Sequence, residues 1–196
     1  MIAIRQRLCT SLVGLLWVGM AAQAAQIDGV TAANLMAAYL RHIAALTSWP
    51  DDDPAEPIRI GVVGRDPNGV MDPIRIRTES ADGLTAQERP IMLVELGNEV
   101  GPPELASCAL LFLSEGAEQD WQRLRPMVGK LPIMTVSEME GFTDLGGMIE
   151  YFVDRRSGKV LMKVNLPAVR AAGISLSARF LALKSVIVLG EQEAQR

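Results

Sequence analysis

Apolar residues recur at helical intervals between positions 29 and 49, where Leu35, Tyr39, Ile43, Leu46 and Trp49 share one stripe. Thr31 suits the N-cap of this helix. Trp49-Pro50 stops it, because a residue before proline is pushed out of the helical region. Residues 51–57 then form an acidic, proline-punctuated loop. Beyond it the period shortens. Apolar runs at 58–63, 91–96, 109–113 and 133–136 predict four strands, the first closed by Gly64 and the turn 66–69. Residues 70–89 show no regular pattern, since Pro73 and Gly83 interrupt it. Residues 118–125 predict a helix with Trp121, Leu124 and Val128 inward, and Pro126 ends or kinks it.

The final third changes character. Runs at 148–153 and 159–164 flank Asp154-Arg-Arg-Ser-Gly158 and predict a hairpin. Asn165 can cap a short helix with Pro167 in its first turn and Gly173 just beyond its end. Ser177 caps a second helix, with Phe180, Leu183 and Ile187 on one face, and residues 191–196 fray. Strands alternating with helices predict an α/β fold: a mixed β-sheet flanked by helices in a three-layer, sandwich-like arrangement. Its antiparallel hairpin lies near the C-terminal end.

The start of the chain reads differently. Arg5 and Arg7 precede an uncharged apolar run, residues 8–20, and Ala22-Gln-Ala24 supplies a small-x-small exit. That pattern predicts a secretory signal peptide over residues 1–24, leaving a single domain at 25–196 in the periplasm. The run is too short for a membrane anchor. Losing Arg5 and Arg7 takes the formal charge from −4 to −6. An acidic chain with scattered bases has no footprint for nucleic acid, and no polybasic patch to hold it on a membrane. Of the two cysteines, Cys9 leaves with the leader, so Cys108 is alone and reads as a buried, inert thiol.

Most catalytic readings fail on inventory, and no spacing points to lysine-based or paired-carboxylate catalysis. His42 is the only histidine, and with Cys108 it makes too small a set for zinc. No Gly-x-Ser-x-Gly motif occurs. Gly64-Arg-Asp-Pro-Asn-Gly69 has the outer spacing of a P-loop, but Val70 and Met71 replace the residues that hold phosphate and magnesium. The run 51–53 lacks EF-hand spacing and reads as a solvated loop. The residues therefore point to no catalytic site, cofactor or metal.

Several segments taken in order resemble one family. They include Ala38-Tyr-Leu-Arg-His-Ile-Ala-Ala-Leu-Thr-Ser-Trp-Pro50, Ile58-Arg-Ile-Gly-Val-Val-Gly64, Ser107-Cys-Ala-Leu-Leu-Phe-Leu-Ser114 and Ile133-Met-Thr-Val-Ser-Glu138. Gly146-Gly-Met-Ile149, Val164-Asn-Leu166 and Arg170-Ala-Ala-Gly-Ile-Ser-Leu-Ser177 complete the set. The ordered series resembles the YfiR family of small exported bacterial proteins. The resemblance implies a non-enzymatic periplasmic regulator that binds the periplasmic domain of an inner-membrane diguanylate cyclase, or another membrane sensor, and represses it. Cyclic-di-GMP synthesis and biofilm formation would then be restrained.

Two departures stand out. Family members often carry a cysteine where this chain has Gly61, opposite the position of Cys108, so that disulfide is absent here. Arg41-His-Ile43 replaces a Tyr-Asn-Phe segment, which implies a different partner surface. Exposed residues near the matching motifs are the candidate partner contacts: Arg41, His42, Arg170 and Arg179. A second class, a small-ligand-binding module serving a neighbouring receptor or kinase, stays open, as does a homodimer. None of these needs a catalytic set, so the residues do not choose among them.

Overall fold

The computed structural model describes residues 11–50, 52–80, 83–97, 100–154 and 156–190, the side chains of 11–28 aside. In chain order the elements begin with α1 (Ser11–Leu46), β1 (Thr47–Ser48), β2 (Ile58–Val63), α2 (Asp72–Thr78), β3 (Thr85–Ala86) and β4 (Arg89–Glu95). Next come α3 (Pro102–Ala106), β5 (Leu110–Leu113), α4 (Glu118–Val128) and β6 (Met134–Ser137). The last are β7 (Ile149–Asp154), β8 (Lys159–Asn165), α5 (Leu166–Ala171), β9 (Ser175–Leu176), α6 (Ala178–Leu181) and β10 (Val186–Leu189). No described helix is long and apolar enough to cross a membrane.

The main sheet has eight strands in the order β10-β8-β7-β6-β5-β2-β4-β3. β4, β2, β5, β6 and β7 run parallel, β7–β8 is the antiparallel hairpin, and β10 joins β8 in parallel. Alternation along β5 shows how the layers form. Leu110 and Phe112 enter a core beneath α1, whereas Leu111 and Leu113 enter a second core beneath α4, with Trp121, Leu124 and Phe142. The helix-flanked mixed sheet expected from the sequence is therefore the fold.

Several local expectations are corrected. Helix α1 runs straight through Thr31, which is not its N-cap, and ends at Leu46, before Trp49. It ends because Thr47–Ser48 pairs with Ser175–Leu176 in a two-stranded ladder, so the backbone turns from helix to strand. Trp49 instead donates its indole N–H to the Ala109 carbonyl at 3.0 Å, tying the helix exit to the start of β5. The buried face of α1 is also rotated from the predicted stripe. Ala33, Met36, Ala37, Leu40, Ile43 and Ala44 pack on the sheet, while Leu35 is exposed and Tyr39 and Leu46 are half-buried. Small alanines allow a helix to lie close to a sheet, and a count of large apolar residues overlooks them.

Pro126 lies inside α4 instead of ending it, because Leu124 and Val128 are both buried in the core beneath it. The helix capped by Ser177 is a single turn. Ile187 belongs to β10, where β-branched residues pair with β8. The irregular segment 70–89 resolves into α2, with Pro73 in its first turn, and the short strand β3. Asp52, expected in a solvated loop, meets the buried Arg89 at 2.6 Å, and Arg89 also donates to the Glu56 carbonyl. The Asn165 cap is present, its side chain accepting from Ala168 N–H, and Gly173 follows with φ +73°. Cys108 is buried just before β5, and burial pushes its thiol pKa up. The predicted frayed segment 191–196 lies outside the described residues.

Candidate binding groove

Two places in this fold gather polar side chains. The first follows from strand order. β2 leads through α2 and β3 to β4 on one side, and β5 leads through α4 to β6 on the other, so the order in which strands add to the sheet reverses between the parallel neighbours β2 and β5. In open α/β sheets the crevice beyond the carboxyl ends of such strands is the usual ligand position. Here Gly64 (φ +94°) and Asp66 (φ +51°) shape the loop after β2. The Asp66 carboxylate accepts from Val70 N–H at 2.9 Å and Met71 N–H at 2.8 Å. A phosphate loop offers such amides to its ligand. This loop fills them with its own anion.

Asn68 closes the same crevice by donating to Glu115 at 2.7 Å and to Glu138 at 2.9 Å. Glu138 also accepts from Glu115 N–H at 3.2 Å. Burial raises the Glu138 pKa, and these hydrogen bonds only partly offset it. The residues gathered here, Asp66, Asn68, Glu115 and Glu138, were not among the sequence candidates. Strand order is the signal that finds them, and strand order is not local in sequence. Among the described residues no group of three or more His, Cys, Asp or Glu is placed to hold a metal ion.

The second place is a groove of about 670 Å³ on the outer flank of α1. The predicted stripe supplies one wall with Leu35, which is exposed, and Tyr39 and Leu46, which are half-buried at the edge of the core. The start of β8 and the segment between α6 and β10 supply the others. His42, Lys159, Arg179 and Lys184 stand around this apolar floor, and among the described residues no carboxylate lines it. Arg179 and Lys184 form no ion pair among the described residues, whereas Lys159 feels the field of Asp154. The groove can therefore receive an apolar body bearing negative charge.

Of the four sequence candidates, the structure brings His42 and Arg179 together here. Arg41 points elsewhere: its guanidinium donates to the Thr85 carbonyl at 3.3 Å, and it lines a smaller hollow with Arg77. Arg170 is exposed in the last turn of α5 and does not line the groove. Lys159 and Lys184 were missed, since nothing local in the sequence sets the hairpin start beside α1.

A family model described as YfiR/HmsC-like matches residues 33–184. The chain belongs to the YfiR/HmsC-like family. No curated protein matches it. The matched span takes in α1 from residue 33, every strand of the sheet except β10, and all of the groove but Ser185. Within this YfiR/HmsC-like frame Gly61 and Cys108 are neighbours: a Cβ built on Gly61 would stand 3.0 Å from the Cys108 sulfur.

Proposed function

We propose that the protein is exported with loss of residues 1–24 and acts in the periplasm as a non-catalytic binding regulator. Its partner in this reading is the periplasmic domain of an inner-membrane diguanylate cyclase, which it holds inactive, restraining cyclic-di-GMP synthesis and biofilm formation. Membership of the YfiR/HmsC-like family over residues 33–184 carries the reading. The groove supports it, because an apolar floor flanked by Arg179 and Lys184, which form no ion pair among the described residues, suits an acidic amphipathic surface. His42 and Arg179 are the foremost contacts, with Arg41 and Arg170 as outlying ones. Arginine is a frequent interface anchor, and truncating a central one costs about 2 kcal/mol or more.

Deleting the gene should raise cyclic-di-GMP and surface attachment, and deleting the cyclase as well should cancel the rise. Unchanged cyclic-di-GMP across several growth and envelope-stress conditions overturns the repressor reading. Periplasmic protein should begin near Ala25 on N-terminal sequencing, and recovery of intact Met1 overturns export. A second reading, a small-ligand-binding module serving a receptor or kinase, is favoured by the size of the groove. Its 670 Å³ lies within the range of roughly 300–1,000 Å³ typical of small-molecule sites.

A further inference from the structure

Helices α1 and α2 face one another across a hollow, and the residues along it follow helical spacing. Asn34, Ala38 and Arg41 recur at intervals of four and three on α1, and Ile74 and Arg77 at an interval of three on α2. Ala37 and Ile74 are buried. Small alanines at 37 and 38 keep that face of α1 low, and a hollow of about 280 Å³ remains, with Leu84 in its lining. Arg41 and Arg77 line it from the two helices. His42 lines both this hollow and the larger groove.

The chain carries 23 acids against 19 Lys and Arg, so its bases have no shortage of partners. The neighbouring Arg75 takes two, Asp72 at 2.7 Å and Glu95 at 2.6 Å. Arg41 and Arg77 form no ion pair among the described residues, and no carboxylate among them lines the hollow. Arg41 is half-buried, and its Nε donates to the Thr85 carbonyl at 3.3 Å. That bond anchors the guanidinium and leaves its terminal N–H donors for another acceptor. A half-buried cation has lost hydration, and an anion would replace it with charge-assisted hydrogen bonds. Two guanidiniums beside an imidazole suit a tetrahedral oxyanion, because arginine bonds phosphate oxygens in a fork. At about 280 Å³ the hollow is smaller than the roughly 300–1,000 Å³ of sites that enclose a whole small molecule. It has room for an anionic head whose body stays outside.

We propose that this hollow binds a phosphoryl group, free or on a lipid headgroup, through Arg41 and Arg77 with His42 beside them. The site needs neither export nor a cyclase, so its test is independent of the proposed function. The single histidine supplies the readout. Inorganic phosphate, titrated into the purified protein at constant ionic strength, should move the His42 ring-proton resonances along a saturating curve. Arg77→Gln should raise the phosphate Kd about tenfold or more, as expected for the loss of one charge-assisted contact. Arg41→Lys keeps the charge but loses the fork, and it should also weaken binding. Lys184→Gln alters only the larger groove and should leave the curve unchanged. Circular dichroism checks folding, and the exposed Arg77 carries the test if Arg41→Lys is unstable. Co-sedimentation with phosphatidylglycerol vesicles, against phosphatidylcholine alone, identifies the source. Vesicle binding that Arg77→Gln abolishes supports a lipid headgroup, and phosphate binding without vesicle binding supports a free phosphate or its ester. His42 resonances that phosphate leaves in place, or a curve that folded Arg77→Gln does not weaken, overturn the proposal. So does binding lost in Lys184→Gln and kept in Arg77→Gln, which puts the anion in the larger groove.

Discussion

Replacing Gly61 with cysteine should install a disulfide to Cys108 across β2 and the start of β5. A Cβ at Gly61 lies 3.0 Å from the Cys108 sulfur, about the separation of a Cβ from the far sulfur of a bridge. The bridge would close a loop of roughly 48 residues, for which the chain-entropy model gives about 4 kcal/mol. Against this stands crowding. The same Cβ would come within 2.6 Å of Leu96 Cδ1 and 3.2 Å of Leu111 Cδ1. Leu96 is half-buried and its methyl is the free end of a flexible side chain, so repacking costs about 1 kcal/mol. A net gain of about 3 kcal/mol raises the melting temperature by about 6–12 °C in a chain of this size. The assay is thermal melting of Gly61→Cys with and without reductant, beside thiol titration of the unfolded, unreduced protein. Wild type should titrate Cys108 only after unfolding and melt identically in both buffers. Two free thiols in the unfolded variant would show that the strands do not stand as described here. An oxidised variant melting no higher than its reduced form would refute the entropic reasoning.

Gly147→Ala should destabilise by about 2 kcal/mol or more, because its Cβ would fall 2.2 Å from the Phe142 ring, which packs against Trp121 with centroids 4.9 Å apart. Denaturant unfolding reads this, and an unchanged midpoint refutes it. Tyr151→Phe should be neutral or stabilising by about 1 kcal/mol, since the Tyr151 hydroxyl is buried without a hydrogen-bond partner among the described residues; a large loss of stability would contradict that. Two carboxylates should respond to pH with opposite signs. Burial alone would raise the Glu150 pKa, but hydrogen bonds from Lys163 at 2.7 Å and from Thr143 lower it. Its stabilisation is therefore full above the ordinary carboxyl range and is lost as pH falls through the depressed value. Glu150→Gln should cost about 1–2 kcal/mol near neutrality, Lys163 being part-exposed, and progressively less in acid. Glu138, raised by burial, opposes folding when charged at neutral pH and ceases to do so on acidification. Glu138→Gln should thus gain stability near pH 7 relative to acid, and parallel pH–stability curves for Glu138→Gln and wild type would refute the assignment.

The sequence alone determined the elements whose signals are local. The apolar runs of β2, β5 and β6, the hairpin around Gly158, and the Asn165 and Ser177 caps depend on neighbours within a few residues, and each stands where the pattern puts it. The helix-flanked sheet follows from their alternation, and the ordered motifs from Ala38 to Ser177 were enough to mark the family. What depends on distant partners was decided only in three dimensions. Thr47–Ser48 leaves the helix because residues 175–176 wait beside it, and α1 turns its alanines inward because the sheet lies there. The groove likewise joins His42 to Arg179 and Lys184, which are separated by most of the chain. The crevice uniting Asn68, Glu115 and Glu138 exists only once β2, β5 and β6 lie side by side. Hydrophobic periodicity records which way a segment faces, and it carries no record of which other segment it will face.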